Sequence, residues 1–466
     1  MNTKNWMRSL GWMAGLNAAY VVLLVLFAAN RGLLDGMMRL VIPLLLLASA
    51  ALAYSCRFGG DPVVTMAAVL LLETGQMTQV LIHQGTPSLS TLLLFASPVI
   101  GALGICLISY MKEMDFSDNR RAVTVLGAAA GGVLLITLVL LAFGRNINGT
   151  RAWLRLGGLS LQLTEVFKPL YVVFHAVLWS SSFRHRQRFL ISAAMTFVSA
   201  VFLLAINELG TLLVILCMWI ILTFIYSEKL LDTAVTLGGT VTTILLGYGT
   251  MGLIYARVKK QISMGEEPGG LTKKIFQIYD KLRQRVMIFT NLDQYMTEYG
   301  DNASRQPFKA REMIMKGGLF GTTSSTTIPV EESDYAYVGL ILRCGILFAV
   351  IVLVLFFMIF YRSVLRSVRR DNRFESVVLT GASLGLILPT FINVMGTTNF
   401  SFMTGIAIPF ISHGGTNMML SVFNVMLLIW GLCGSRPELM ASVRRSVKKP
   451  SSPSRSPRPD KIPFTR

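Results

Sequence analysis

Residues 189–227 read FLISAAMTFVSAVFLLAINELGTLLVILCMWIILTFIYS. Two uncharged apolar runs of membrane-spanning length meet here, with Asn207-Glu208 alone between them. About 20 apolar residues in a helix cross the hydrocarbon core of a bilayer, because every backbone N–H and C=O then bonds within the segment. The stretch reads as two spans joined by a tight turn, or as one broken element. Comparable apolar runs lie at 13–30, 38–55, 63–82, 90–110, 122–143, 165–181, 231–255, 335–361, 375–397 and 408–432. Together they predict an all-α polytopic membrane protein of about twelve transmembrane helices. The last run is interrupted by Pro409, Gly414 and Gly415.

Composition agrees. Of 466 residues, 53% are hydrophobic and 14% charged, against roughly 25% charged in an average soluble domain. That leaves too little polar surface for a soluble exterior, which excludes a soluble enzyme, a disordered protein and a disulfide scaffold. Five cysteines (Cys56, Cys106, Cys217, Cys344, Cys433) sit in or beside apolar runs, without a CxxC or Cys/His pattern. Neither structural zinc nor a disulfide framework follows. The N-terminal apolar run is long for a signal peptide and a second follows at once, so it reads as a span.

The formal net charge is +19. In a membrane protein, Lys and Arg mark the cytoplasmic connections. With the N-terminus inside, those connections hold Arg57; Lys112, Arg120 and Arg121; Arg184, Arg186 and Arg188; Lys229; and Arg362, Arg366, Arg369, Arg370 and Arg373. Residues 434–466 form a basic tail rich in Ser and Pro, predicted to be disordered, cytoplasmic and suited to anionic headgroups. Topology thus accounts for most of the charge, and no nucleic-acid partner is implied.

The connection 256–334 falls outside and is too long for a plain turn. Residues 271–289 have helical apolar spacing with many cations, which predicts an interfacial helix. Residues 308–316 predict a second short helix, ended by Gly317-Gly318.

Ionisable side chains at membrane depth are costly and mark functional candidates. They are Glu73, Glu165, Lys168, His175, Glu208 and Arg343. Glu165 and Lys168, three apart, share a helix face and can pair, either structurally or in a site. His175 reads as an interhelical hydrogen-bonding His, and Glu208 as a wetted helix end or a site residue. Pro409, Ser412, His413, Gly414 and Gly415 interrupt an apolar run, and such backbone is tolerated only inside protein or along a cavity. That motif predicts a groove wall. No HExxH or Walker loop is present, which argues against ATP-driven work.

Four ordered blocks resemble the SEDS family, the FtsW, RodA and SpoVE proteins of bacterial wall synthesis. Gly149-Thr150-Arg151-Ala152-Trp153-Leu154-Arg155-Leu156-Gly157, then Gln162-Leu163-Thr164-Glu165-Val166-Phe167-Lys168, resembles G-x-x-R-W-I-x-L-G…Q-P-S-E-x-x-K. Asn207-Glu208-Leu209-Gly210-Thr211 is similar to Q-P-D-L-G-T. Gly317-Gly318-Leu319-Phe320-Gly321 with Ser333-Asp334-Tyr335 resembles G-G-L-x-G…T-D-F. Residues 404–416 (TGIAIPFISHGGT) resemble T-G-I-x-L-P-F-I-S-Y-G-G-S. The chain departs at Leu163, Glu208 and Leu342-Arg343, where the family has Pro, Asp and an acidic pair, and in its two additional N-terminal spans.

The resemblance implies a ten-span core at 59–433, preceded by an extra transmembrane pair at 1–58. It implies a peptidoglycan glycosyltransferase that polymerises lipid II at the outer face of the bacterial cytoplasmic membrane, both termini cytoplasmic. The partner it implies is a class B penicillin-binding protein, the transpeptidase, in elongation, division or sporulation. The family's catalytic carboxylate lies in the large outer loop. Counting back from Gly317-Gly318, Gln306 and Ala310 fall on the family's Gln and Ser/Ala positions. A strict count for the carboxylate lands on Tyr299; a local shift makes Asp301 the first candidate and Asp293 the second. The carboxylate would act as general base on the attacking sugar hydroxyl. Arg151, Arg283 and Arg285 are candidates for the diphosphate leaving group, Lys168 joins them if the groove dips into the bilayer, and the motif residues Trp153 and Gln306 complete the expected substrate-binding set. Mg²⁺ or Mn²⁺ suits the diphosphate oxygens, although the sequence holds no dedicated cage. Arg283 and Arg285 as solvated cations, and Asp301 as a turn residue, remain the plain alternatives. At the level of function the alternatives are a lipid II transporter or flippase, and a non-catalytic partner of the penicillin-binding protein.

Overall fold

Asp61 shows how the chain sets its helix ends. Its carboxylate caps the helix that opens at Pro62, accepting from the backbone N–H of Val63 at 2.9 Å and Val64 at 3.3 Å. The preceding helix ends at Gly59 in the left-handed region, φ 74°. The structure, a computed structural model, describes residues 3–83, 89–147, 150–156, 159–227, 229–265, 267, 269–291, 294, 295, 301–324 and 326–433.

An N-terminal pair, α1 (Thr3–Ala29) and α2 (Leu34–Phe58), is followed by α3 (Pro62–Ile82), α4 (Leu89–Lys112) and α5 (Asn119–Phe143). A small antiparallel sheet follows: β1 (Arg145–Ile147), β2 (Thr150–Leu156) and β3 (Leu159–Gln162), with Trp153 paired to Arg145 and Gln162. A 3₁₀ turn at Leu163–Val166 leads into α6 (Phe167–Ser180), then α7 (His185–Ala205), α8 (Leu209–Tyr226) and α9 (Leu230–Ser263). The long connection contributes α10 (Gly270–Thr290) and α11 (Asp301–Gly317). The chain closes with α12 (Ala336–Cys344), α13 (Ile346–Ser367), α14 (Arg373–Thr397) and α15 (Gly415–Gly431).

Nine of the described helices are long and apolar enough to span a membrane, and two shorter apolar helices lie at Ala96–Lys112 and Gly415–Gly431. Each of the apolar runs named above holds a helix. The paired runs at 189–227 are two helices, and Asn207 makes the turn at φ 61°. Two runs are discontinuous. Run 335–361 breaks at Gly345, φ 88°, into α12 and α13. Run 408–432 is helical only from Gly415. The sheet was not expected from the apolar pattern.

The centre of the bundle is α3 and α14, buried over 78% and 72% of their most apolar windows. Around them α6 packs against α14 and α5, and α15 against α4. His175 is fully buried on α6 and bonds the Tyr171 carbonyl and the Ser192 hydroxyl of α7, each at 2.9 Å. This is the interhelical role expected of it. At the end of the bundle that holds the basic connections, Asp61 pairs with Arg362 (3.2 Å) and Arg366 (2.7 Å) of α13. There too Glu375 takes Lys112 (3.0 Å) and Arg370 (2.6 Å).

α9 is different. Its 34 residues make a helix of about 51 Å at 1.5 Å per residue, longer than a bilayer core of about 30 Å. Only 6% of its apolar window is buried. It packs against α8 and α10, where the Tyr255 and Phe276 rings stack at 4.6 Å. α9 thus carries α10 out from the bundle and turns it back over the end where α7 meets α8.

Candidate active site

The site is built where α10, α11, the turn 328–335 and the strip 396–414 meet. On α10, Lys281 and Arg285 are four residues apart and so share a face; Arg283, two residues from each, falls on the opposite side. The structure follows that rule. Arg285 reaches the Thr404 carbonyl at 3.2 Å. Lys281 donates to the Thr150 hydroxyl of β2 at 3.0 Å. Arg283 lies over the Tyr255 ring of α9, 5.7 Å from its centroid.

Asp334 is presented by a strained turn. Val330 is β-branched yet adopts φ 58°, a conformation that persists only where surrounding bonds enforce it. The N–H groups of Ser333, Asp334 and Tyr335 all converge on its carbonyl, at 3.2, 3.1 and 3.3 Å. Asn393 of α14 ties this turn to the strip, donating to the Asp334 carbonyl at 2.8 Å and the Ile406 carbonyl at 2.5 Å. Between them sits Gly405, φ 71°. A Cβ there would stand 3.4 Å from Asp334 Oδ2 and 4.0 Å from Arg285 Nη2. Those are ordinary contact distances, so it is the left-handed backbone that calls for glycine between the Asp334 carboxylate and the Arg285 guanidinium.

The strip 404–414 is the irregular wall expected from its sequence, buried in protein. Ser412 is fully buried; its hydroxyl donates to the Ser333 carbonyl at 2.6 Å and accepts from the Ile408 N–H at 2.9 Å. The His413 N–H reaches the Glu332 carbonyl at 2.6 Å, and Gln79 of α3 donates to the Ile411 carbonyl. The Thr416 hydroxyl, just past Gly414 and Gly415, accepts from the Gln162 N–H at 3.0 Å. Phe410, after Pro409, takes φ 65°, and its carbonyl lies so close to Gly75 of α3 that a Cβ there would collide. This part of the strip holds the wall from behind.

In front of it opens a cavity of about 620 Å³, within the usual range for a ligand site. Arg285, Arg311, Gln306 and Asp334 bring polar groups to it, and Phe289, Phe308, Phe402 and Met403 supply apolar surface. Burial depresses the Arg285 guanidinium from its usual range, against the pull of Glu208 and Asp334. Burial raises the Asp334 carboxyl, partly offset by the Ser333 hydrogen bond and Arg285. Lys281 is lowered to about 8, by burial first and then by Arg285, with Glu208 opposing. Glu208, at the turn between α7 and α8, is raised by burial and then by Glu165, while Lys281 and Lys168 oppose. A chain of charges thus runs from Glu165–Lys168 through Glu208 and Lys281 to Arg285 and Asp334.

The family model described as cell cycle protein, FtsW/RodA/SpoVE, matches residues 63–430. The chain belongs to this family. A probable peptidoglycan glycosyltransferase FtsW of Enterococcus hirae is 21% identical over 338 residues, 71% of this chain and 80% of that protein. The corresponding FtsW of Alkalilimnicola ehrlichii is 25% identical over 69% of this chain and 75% of its own length. Two solved structures share the fold. One is a chain from a peptidoglycan synthase complex studied for its coordination of polymerization and crosslinking, at TM-score 0.57 and 20% identity, covering 80% of this chain and 97% of that one. The other is the rod shape determining protein RodA of Thermus thermophilus, at TM-score 0.51 and 19% identity, covering 80% and 96%.

Of the site residues expected in this FtsW/RodA/SpoVE member, the structure brings Arg285, Gln306 and Asp334 to one cavity. Glu208 approaches it through Lys281 and Arg285. Arg151 does not line the cavity; it is exposed on β2, and its N–H bonds the Ile206 carbonyl at 3.1 Å. Trp153 is half-buried in the same strand. Arg283 turns to α9 for the reason of helical phase given above. Lys168 is held by both oxygens of Glu165, at 2.8 and 2.6 Å. That pair lines a separate gap of about 30 Å³, the room of about one water. Asp301 opens α11, about 7.5 Å along the axis from Gln306 at 1.5 Å per residue. Its side chain and Asp293 lie outside the described residues. Lys281, Arg311, Asn393 and Gly405 were not singled out from sequence. The spacing of Lys281 from Arg285 was the available signal for the first of them.

The described residues do not form a cage for Mg²⁺ or Mn²⁺. None of them make a group of three or more His, Cys, Asp or Glu able to hold a metal ion. Asp334 is the single carboxylate among the described cavity residues, and it faces Arg285.

Proposed function

We propose that this chain is a peptidoglycan glycosyltransferase that polymerises lipid II at the outer face of the bacterial cytoplasmic membrane. Its termini are cytoplasmic, and it works with a class B penicillin-binding protein. The observation that carries the reading is the cavity of about 620 Å³ with Arg285 and Arg311 in its polar wall and phenylalanines in the other. That combination suits a substrate whose diphosphate lies between sugar and polyprenyl chain. Arg offers forked donors to phosphate oxygens.

In the reaction a sugar hydroxyl of one lipid II attacks the anomeric carbon of another. The new C–O bond forms as the bond to the diphosphate breaks, and the electron pair leaves with undecaprenyl diphosphate. Arg285 and Arg311 stabilise the charge that accumulates there. Asp334 holds Arg285 in place rather than acting as base. Lys281 adds a cation behind Arg285 while it is protonated. Asp301, on the same helix as Gln306, takes the proton from the attacking hydroxyl.

The test is glycan synthesis by the full chain co-purified with a class B partner, supplied with lipid II and a divalent salt. Strands from the wild type, and their loss in Asp301→Asn with lipid II binding retained, are the expected results. Translocation of lipid II across vesicles without strands would instead make it a flippase. A wild type without turnover that still activates its partner would make it a non-catalytic subunit.

A further inference from the structure

The N-terminal pair α1–α2 lies outside the family match, which begins at residue 63, yet it is bonded to the body at specific points. Asn17 of α1 donates to Glu73 Oε1 of α3 at 2.7 Å, and both are buried. One turn further along α1, the Tyr20 and Thr74 hydroxyls meet at 2.6 Å. These contacts fix the pair laterally. Its turn does something else. Arg31, between α1 and α2, is braced over the Phe27 ring at 4.5 Å. It extends one guanidinium nitrogen to the Thr322 carbonyl at 2.8 Å and the other to the Arg343 carbonyl at 2.5 Å.

Those two carbonyls belong to an interlock. The segment Gly317–Thr322, directly after α11, crosses the break between α12 and α13. The Thr322 N–H bonds the Leu342 carbonyl at 2.8 Å, and the Ile346 N–H bonds the Gly318 carbonyl at 2.9 Å. A Cβ on Gly321 would collide with the Arg343 carbonyl, and one on Gly345 with the Leu319 carbonyl. Arg343 stands in the last turn of α12, where carbonyls lack a partner within the helix and carry partial negative charge. Arg31 supplies that missing donor from another element and ties Thr322 to the same cation.

The interlock anchors the C-terminal end of α11, whose Ala310 and Met313 pack with Val338 and Leu342 of α12. Gln306 and Arg311, on that helix, line the cavity. We propose that Arg31 is a positioning residue, and that the N-terminal pair is a built-in brace holding α11 in register with the cavity. The inference rests on the polymerase reading for its catalytic readout alone.

The experiment uses the full chain with its partner. Hydrogen–deuterium exchange is followed over 317–324 and 342–347, and kcat and KM for lipid II are measured for wild type, Arg31→Ala and Arg31→Lys. Arg31→Ala is expected to exchange about tenfold faster in both segments, the effect of losing roughly one hydrogen bond's worth of local stability. Its kcat should fall about tenfold with KM within about twofold, since α11 is misaligned rather than the site removed. Arg31→Lys, which keeps the charge without the forked donors, should lie between, and it decides the matter if Arg31→Ala does not fold. Unchanged exchange in the folded variants would overturn the brace. Faster exchange with unchanged kcat would overturn the positioning role. If the wild type makes no glycan, the polymerase reading fails, and the exchange comparison still decides whether Arg31 holds the interlock.

Discussion

Two charge clusters in this protein use similar residues to opposite ends. At Glu165–Lys168, one ammonium meets both oxygens of one carboxylate within 2.8 Å, with room beside it for about one water. At Arg285–Asp334 the partners are half-buried at a cavity of about 620 Å³, with further cations near them, Arg311 in the same lining and Lys281 one turn back on the helix of Arg285. The first cluster is satisfied by its own members and reads as structure. The second sets three cations, Lys281, Arg285 and Arg311, against two carboxylates, Asp334 and Glu208, and reads as a site awaiting an anion. Burial, the number of cations per carboxylate and the space in front of them all separate the two.

The largest effect expected is on the closed pair. Removing one partner leaves a buried unpaired charge, so Lys168→Met or Glu165→Gln should each cost about 3–5 kcal/mol of stability. The double substitution should recover most of it. A denaturation series in detergent measures this, and full turnover in a folded double variant would confirm that the pair is structural. Next is the open cluster. Arg285→Ala should lower kcat by about 10²–10³, the usual cost of one donor to a developing anion, with the unfolding midpoint little changed. Equal losses of stability and turnover would erase the distinction between the clusters.

A third prediction uses pH. Lys281, lowered by burial to about 8, loses its charge as pH rises through that value, so turnover should fall about tenfold between pH 7 and 9. Lys281→Arg should remove that limb. Stability should run the other way: the folded state holds fewer protons than the unfolded one between about 8 and the ordinary lysine value of 10.5, so discharge favours folding there. A parallel fall of both would contradict the assignment. The smallest effect is expected for Arg283→Ala and Arg151→Ala, which face away from the cavity. Surface substitutions of this kind stay within about 0.5 kcal/mol, so strand synthesis should remain within about threefold of wild type.

The sequence made the membrane class, the helix positions, the Glu165–Lys168 pair and the irregular strip after Thr404 legible, because each rests on local pattern. Apolar runs reveal spans, and a spacing of three reveals a shared face. It did not reveal the break at Gly345, since an apolar run reads alike whether its helix is whole or interrupted. The sheet escaped notice for a related reason. Asn148-Gly149 and Gly157-Gly158 are hairpin signals around Thr150–Leu156, but they were overshadowed by the motif they belong to. Asn393 and Arg31 were not readable at all. Their meaning lies in carbonyls from distant segments, and no local rule points to a contact across 291 residues. Choosing Arg285 over Arg283 needed helical phase together with the knowledge of which face meets the cavity.

The most direct measurement compares glycan strands made from lipid II by the full chain with its class B partner, as wild type, Arg285→Ala and Arg283→Ala. Strands from the wild type and Arg283→Ala, with near loss in a folded Arg285→Ala, are the predicted result. Equal loss in both arginine variants, or no strands from a wild type that binds lipid II, would contradict the assignment of the cavity as the polymerising site.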